Sequence, residues 1–234
     1  YDTQYRTTPE IHQRREHVRR ETELIVSQCP AFPKETKVVV FGSSANGFGS
    51  PNSDVDMCLQ LPAGFKLDDE EDKNGSVAMG KLVELFESRG VKNVDPSRLT
   101  ARIPVIMFDY PMKVASEEAE MLIDCDLSMQ NPLACLNTSL ILNYSHLDVR
   151  TRVLASIIKR WAKSREINNP AQHTLSSYGY ILMLLHFLTY HRATNEGIVM
   201  PIDEPVDPRK RAAPTPLLPN LQWMDPAWAN SKDG

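Results

Sequence analysis

Phe41-Gly42-Ser43-Ser44-Ala45-Asn46-Gly47-Phe48-Gly49-Ser50-Pro51-Asn52-Ser53-Asp54-Val55-Asp56-Met57-Cys58-Leu59 is the stretch that decides the reading of this chain. The run into it, Val38-Val39-Val40-Phe41, is apolar and β-branched, as in a buried strand. Gly42-Ser43 then turns the chain. Glycine lets the backbone approach a ligand closely, and free amides at the start of a short helix attract anions. Ser43 adds a hydroxyl donor. Asp54 and Asp56 lie two apart at the start of a second apolar run, Val55 to Leu61. In a strand, positions i and i+2 point to the same face. Two carboxylates on one face repel each other unless a cation sits between them, and such hard oxygen ligands suit magnesium bridged to phosphates. A lone Gly-Ser is usually just a turn, and a lone Asp-x-Asp is usually solvated. Strand, Gly-Ser, fixed gap and Asp-apolar-Asp together are much rarer and point to chemistry on a nucleoside triphosphate.

Outward from this stretch the chain divides into three parts. Residues 9–28 carry a helical pattern, with Ile11, Val18, Leu24 and Ile25 among many charges. Residues 36–128 read as a compact α/β unit, with strands near 37–41, 55–61, 103–109 and 120–127. A helix is expected near 77–89, with Met79, Leu82, Val83 and Phe86 on one stripe. Lys66–Ser76 reads as a polar loop, and Pro104 marks its strand as an edge or a bulge. From Pro132 onward the pattern is helical. Asn131-Pro132 opens one helix, with proline in its first turn. Val149 to Ala162 aligns Val153, Leu154, Ile157, Ile158 and Trp161, with Lys159 and Lys163 opposite. Thr174-Leu175-Ser176-Ser177-Tyr178 starts another helix, with Thr174 or Ser176 as its N-cap. After Pro201 the chain is Pro-rich and irregular.

Composition points to an intracellular globular enzyme, in the cytoplasm or the nucleus. At 234 residues the chain can bury a sizeable core, and its 41% hydrophobic and 24% charged residues are ordinary for a soluble protein. The four cysteines have neither metal spacing nor a disulfide framework, and Cys58 and Cys125 read as packed thiols. The beginning shows no signal peptide, and the most apolar stretch, Tyr178 to Tyr190, is too short to span a bilayer, so no membrane partner is expected. The chain opens on Tyr1 rather than Met, which we read as a piece cut from a longer protein. A net charge of -4 argues against nonspecific coating of nucleic acid. Basic clusters at 14–20, 150–165 and 209–211 can still guide a phosphate backbone, although such runs are often solvated faces, and Asp68 to Asp72 forms an acidic run.

The motif set resembles the DNA polymerase β-like nucleotidyltransferase superfamily. Its later residues resemble the RNA 3′-terminal nucleotidyltransferases, the terminal uridylyltransferase and non-standard poly(A) polymerase branch, from about Ile25 to Gln222. The resemblance implies an α+β fold. Residues 36–128 would form a palm with a mixed sheet, and residues 1–35 and 129–234 part of a mostly helical central domain, with the active site in the cleft between the two. It also implies a third carboxylate on a neighbouring strand. Met121-Leu122-Ile123-Asp124-Cys125-Asp126-Leu127 offers two on one face, which periodicity does not separate. The family's offset of five residues to an asparagine, here Asn131, favours Asp126.

By the same resemblance, Asp54, Asp56 and Asp126 are catalytic and hold two magnesium ions about 3.5–4 Å apart, with manganese as a substitute. Gly42, Ser43, Asn131, Asn137, Thr138, Lys159, Lys163, Ser177 and Tyr178 bind the nucleotide. The lysines would neutralise phosphate charge, Tyr178 would stack on the base, and Asn137 and Thr138 would meet sugar hydroxyls. The implied partners are a nucleoside triphosphate, a single-stranded RNA 3′ end, and the remaining C-terminal segment of the central domain, which carries the family's base-reading residues and lies beyond Gly234. The implied reaction is template-independent addition of a nucleoside monophosphate to an RNA 3′-hydroxyl, with UMP or another pyrimidine first. Pro216-Leu217-Leu218-Pro219-Asn220-Leu221-Gln222 leans towards the uridylyl branch. The alternatives are a poly(A)-adding enzyme that uses ATP and an inactive RNA-binding scaffold. Intact clustered carboxylates argue against the scaffold. A small-molecule nucleotidyltransferase would share Gly-Ser and Asp-x-Asp but would lack the later lysines and Ser-Tyr.

Overall fold

A computed structural model describes residues 8–51, 53–65, 72, 74–113, 120–193, 199–201 and 218. The chain divides into two compact units, residues 1–139 and 140–234.

The first unit is built on a five-stranded mixed sheet. Helix α1 (Pro9–Val26) comes first, with proline in its first turn. Strands β1 (Lys37–Val40) and β2 (Val55–Gln60) follow, then helix α2 (Ser76–Ser88). Strands β3 (Lys92–Asp95), β4 (Val105–Lys113) and β5 (Glu120–Ser128) complete the sheet, and helix α3 (Pro132–Leu147) comes next. The spatial order is β1-β2-β5-β4-β3. Only β2 and β5 run parallel.

Alternation along the strands sorts this sheet into a core face and a polar face. Val55, Met57 and Leu59 of β2 and Cys125 and Leu127 of β5 join one apolar cluster. Val18, Ile25 and Val26 of α1 and Ala78, Met79, Leu82 and Phe86 of α2 belong to the same cluster. Phe86 meets Phe108 of β4 with ring centroids 4.8 Å apart, a contact worth about 0.5–1.5 kcal/mol beyond its buried area. The intervening residues, Asp56 and Cys58 on β2 and Asp124, Asp126 and Ser128 on β5, take the other face. There Cys58 and Cys135 of α3 bring their sulfurs to 3.4 Å. Burial, with Cys135 adding to it, pushes the Cys58 thiol up to about 12. It is a packed, protonated group.

Several details depart from the sequence pattern. The buried stripe of α1 is Arg15, Val18, Thr22, Ile25 and Val26, while Leu24 is exposed. The basic cluster on α1 is largely spent within the helix. Arg19 pairs with Glu16 at 2.8 Å and Glu23 at 2.9 Å, and Arg20 pairs with Glu16. These arginines hold the Glu16 carboxyl down at about 2. Arg19 and Glu23 also take the outward carbonyl and amide of Val38, which closes the open edge of β1. Pro104 precedes β4 rather than interrupting it, and an unforeseen strand, β3, pairs with β4 at Met107 and Asp109, with a register shift between Lys92 and Asp95. Of the acidic run, Asp72 alone is described. Its buried carboxylate accepts the Val77 and Ala78 amides at 2.9 and 2.8 Å and caps α2.

The second unit holds the rest of α3, helix α4 (Val149–Ser164), helix α5 (Ser177–Tyr190) and a short hairpin, β6 (His191–Ala193) with β7 (Val199–Pro201). Asp148 caps α4 by accepting the Arg150 amide at 2.8 Å. Ser176 caps α5 by accepting the Gly179 amide at 3.2 Å, whereas Thr174 closes the preceding loop on Asn169. Helix α4 lies against α5, which buries Ile181, Leu184, Leu185 and Leu188. The buried positions of α4 are the small ones, Thr151, Ala155 and Ala162. On its expected apolar face Val153 and Ile158 are half-buried and Leu154, Ile157 and Trp161 are exposed, with Trp161 edge-on to Tyr180 at 6.2 Å. Among the described residues no helix is long and apolar enough to cross a membrane. The 209–211 basic cluster and all of the Pro216–Gln222 stretch except Leu218 lie outside the described residues.

Candidate active site

Gly42 opens a single 3-10 turn, Gly42–Ser44, directly after β1. Two constraints require glycine there. Its φ is +67°, and a Cβ would fall 2.2 Å from Asp56 Oδ2. The Gly42 amide donates to Thr138 Oγ1 at 2.9 Å, and the Thr138 hydroxyl donates to Ala134 O at 2.8 Å. Buried Thr138 therefore bolts the turn to α3. The next amide, of Ser43, donates to the Asp56 carboxylate. Sequence alone predicts free amides for a phosphate. The turn instead spends these two on Thr138 and Asp56, so it is organised around the carboxylate. Ser44 Oγ donates to the Asp54 carbonyl at 2.5 Å, tying the turn to the start of β2.

The parallel register sets Asp56 opposite Asp126, and Asp54 immediately precedes β2. Ligand atoms of Asp54, Asp56 and Asp126 all lie within 4.8 Å of one another. It is the one such group of potential metal ligands among the described residues. Burial raises the Asp56 carboxyl to about 7, helped by the charges of Asp54 and Asp126, while the Ser43 amide and Arg15 pull the other way. Asp126 is raised by burial, then by Asp54 and Asp124. Asp124 is exposed and outside the group of three. Its carboxyl is raised by the partial desolvation that remains, then by Asp54 and Asp109. Three crowded carboxylates with no cysteine or histidine among them form a hard anionic donor set, which fits a hard divalent cation.

A raised carboxyl carries a sign for stability. Asp56 titrates near 3.8 when unfolded and near 7 when folded, so the folded state binds the proton more tightly. Its contribution is fully present below pH 4 and is lost as pH rises through 7. Metal-free Asp56→Asn should therefore melt with the native chain at pH 4 and several degrees above it at pH 8. Thermal melting in chelator checks this, and equal melting at both pH values would contradict the crowding. Asp126→Asn should also cost at least about a hundredfold more activity than Asp124→Asn, since only Asp126 shares the trio and a metal contact is worth several kcal/mol. Single-turnover addition rates separate the two.

The other sequence-predicted residues fall as follows. Asn131 Oδ1 accepts the Ala134 amide at 3.2 Å at the start of α3. Asn137 is half-buried one residue before Thr138. Lys159 and Lys163 lie one turn apart on α4, the first half-buried and the second exposed. Ser177 and Tyr178 open α5, where Ser177 Oγ accepts from Asn168 Nδ2 at 3.1 Å. Tyr178 is exposed, and partial burial raises its hydroxyl. These last four residues belong to the second unit, while the carboxylates and the Gly42 turn belong to the first. Sequence reasoning missed Arg15, counting it in a basic cluster. The available signal was its place three residues before Val18 on the buried stripe of α1.

Residues 2–146 match the family described as "Poly(A) RNA polymerase, mitochondrial-like, central palm domain". The poly(A) RNA polymerase gld-2 of Caenorhabditis elegans is 32% identical over 227 residues, which is 97% of this chain and 17% of the relative. Terminal uridylyltransferase cid1 of Schizosaccharomyces pombe is 34% identical over 156 residues, 67% of this chain and 35% of the relative. The solved structure of the non canonical poly(A) polymerase complex GLD-2–GLD-3 matches with a TM-score of 0.68 and 30% identity, over 95% of this chain and 60% of that one. This chain thus spans about a third or less of the length of the two curated relatives. With more than half of its residues inside one family description, and relatives of the same kind in sequence and in structure, the chain belongs to the mitochondrial-like poly(A) RNA polymerase central palm family.

Proposed function

We propose that this chain carries the catalytic palm of a template-independent RNA 3′-terminal nucleotidyltransferase. The observation that supports it most is the convergence of Asp54, Asp56 and Asp126 beside the Gly42 turn. The reaction joins the RNA 3′-oxygen to the α-phosphorus of a nucleoside triphosphate, breaks the α–β phosphoanhydride bond and releases pyrophosphate. Asp54, Asp56 and Asp126 would hold magnesium, or manganese in its place. A cation bound there supplies charge neutralisation for the phosphates and acidity for the attacking hydroxyl. Asp126 accepts the hydroxyl proton. Asp56, held by the Ser43 amide, keeps its orientation through the reaction. The Ser43 hydroxyl donates to the triphosphate, with Thr138 fixing the turn from α3. The chain's contribution is mainly position and charge.

In this reading Lys159 and Lys163 bind the triphosphate, Asn131 and Asn137 contact the nucleotide, Ser177 donates to it from the start of α5, and Tyr178 stacks on the base. Lys163→Ala should raise the apparent Michaelis constant about ten- to a hundredfold for every nucleotide, the loss of a charge-assisted contact worth about 1.5–3 kcal/mol. Nucleotide titrations check this, and an unchanged constant removes Lys163 from the pocket.

UTP, or another pyrimidine triphosphate, is the first nucleotide we expect. ATP is the second, because the gld-2 relative, matched over 97% of this chain, is named a poly(A) polymerase. The test gives the full-length protein labelled RNA, magnesium and each of the four ribonucleoside triphosphates, with RNA blocked by a 3′-deoxy end as control. A ladder on free 3′ ends is expected, absent from blocked ones. No extension with any nucleotide would overturn the proposal.

A further inference from the structure

Helix α1 buries one charged side chain, Arg15, which is 6% exposed and lies in register with Val18, Thr22, Ile25 and Val26. An apolar residue would continue that stripe at less cost, because a buried guanidinium must be paired to be tolerated. Arg15 is paired in one direction only. Its Nη2 donates to two backbone carbonyls, Ser50 O at 2.9 Å and Ser53 O at 3.2 Å. Its Nη1 is buried with no hydrogen-bond partner. The charges acting on the guanidinium are those of Asp54 and Asp56. Ser50 and Ser53 close one turn, with Ser53 N donating to Ser50 O at 3.1 Å and Ser50 N donating to Ser53 Oγ at 2.9 Å. The residue after that turn is Asp54. Ser44 holds Asp54 by its own carbonyl, and Arg15 holds the residue before it.

We propose that Arg15 is a positioning residue of the carboxylate site: its guanidinium anchors the Ser50–Ser53 turn so that Asp54 is presented beside Asp56. The proposal rests on the reading of Asp54, Asp56 and Asp126 as a cation site. Two effects of removing Arg15 oppose each other. Deleting a positive charge would by itself tighten cation binding. Releasing the turn weakens it, because several backbone residues must then be ordered each time a cation binds, and each costs conformational entropy. Anchoring dominates, because Asp54 is exposed to solvent that screens the charge and has no strand pairing of its own, whereas Arg15 holds the carbonyl of the residue before it. The sign of the change in affinity therefore distinguishes a positioning role from an electrostatic one.

The test measures manganese binding to the full-length protein by electron paramagnetic resonance, with thermal melting alongside. Arg15→Met replaces the guanidinium by a shorter, flexible apolar chain and should stay folded. It should bind manganese at least tenfold more weakly than the native chain. Arg15→Lys keeps the charge but loses the planar fork, so it should fall between the two. Manganese affinity equal to or tighter than native in folded Arg15→Met would overturn the inference. If Arg15→Met does not fold, Arg15→Lys decides: at least threefold weaker binding is expected, and an unchanged constant overturns the inference. Asp56→Asn separates this failure from that of the site itself. A native chain that binds no manganese, or binds it as well with Asp56→Asn, overturns the metal-site reading and this inference with it.

Discussion

Asp54→Ala and Asp56→Ala should each lose nucleotide addition by at least about a thousandfold, which corresponds to roughly 4 kcal/mol of transition-state stabilisation. The fold should survive both changes. Neither side chain belongs to the apolar cluster beneath the sheet, and both strands keep their pairing. Metal-free Asp56→Ala should be at least as stable as the native chain near neutral pH, because burial and two neighbouring carboxylates disfavour the ionised Asp56. Loss of activity with unchanged or higher melting temperature is the signature of a site residue. Near-native addition by either purified variant would remove the carboxylates from the chemistry. Unfolding would instead assign them a structural role that their position does not support.

Gly42→Ala should be nearly as damaging, by a different route. Alanine at φ +67° is strained by about 1–2 kcal/mol. Its Cβ would also lie 2.2 Å from Asp56 Oδ2 and 2.9 Å from the carboxyl carbon. The carboxylate must rotate out of the trio or the turn must lift from Thr138. Either change separates ligand atoms that now sit within 4.8 Å. Activity should fall by at least about a hundredfold, with a moderate loss of stability from the strained φ and the disturbed Thr138 contact. Gly80→Ala is the control. Gly80 lies inside α2 with nothing within 4 Å of where an added methyl group would sit, and alanine there should be neutral or stabilising by about 0.5–1 kcal/mol. Addition rates and melting curves for the pair test the close approach. A fully active Gly42→Ala would show that the turn does not need to hug Asp56.

Much of this is legible in the sequence because period-2 alternation is a strong signal. Val55, Met57 and Leu59 alternate with Asp56 and Cys58, and that alternation alone separates the core face from the polar face of β2. Strand β5 repeats the pattern with Cys125 and Leu127 against Asp124 and Asp126. Periodicity does not choose between those two carboxylates, because both satisfy it. The choice lies in the β2–β5 register, which joins residues about seventy positions apart. Thr138 shows the same limit. Its bond to Gly42 spans ninety-six residues, so no local pattern points to it. Arg15 is hidden by its neighbours: Arg14, Arg19 and Arg20 make the segment look like a solvated basic face, and only its alignment with Val18 and Thr22 betrays its burial. The partial exposure of the apolar stripe of α4 escapes the pattern for a related reason. Periodicity finds an apolar stripe but does not say which side of the helix is covered, and the buried positions are Thr151, Ala155 and Ala162.

The most direct measurement is the anomalous scattering of manganese in crystals of the full-length protein grown with a non-hydrolysable nucleoside triphosphate. A peak within coordinating distance of Asp54, Asp56 and Asp126 together is expected, and it should vanish in Asp56→Asn. Manganese bound elsewhere, or a nucleotide seated in the protein with no metal at these three carboxylates, would contradict their assignment as the centre of the reaction.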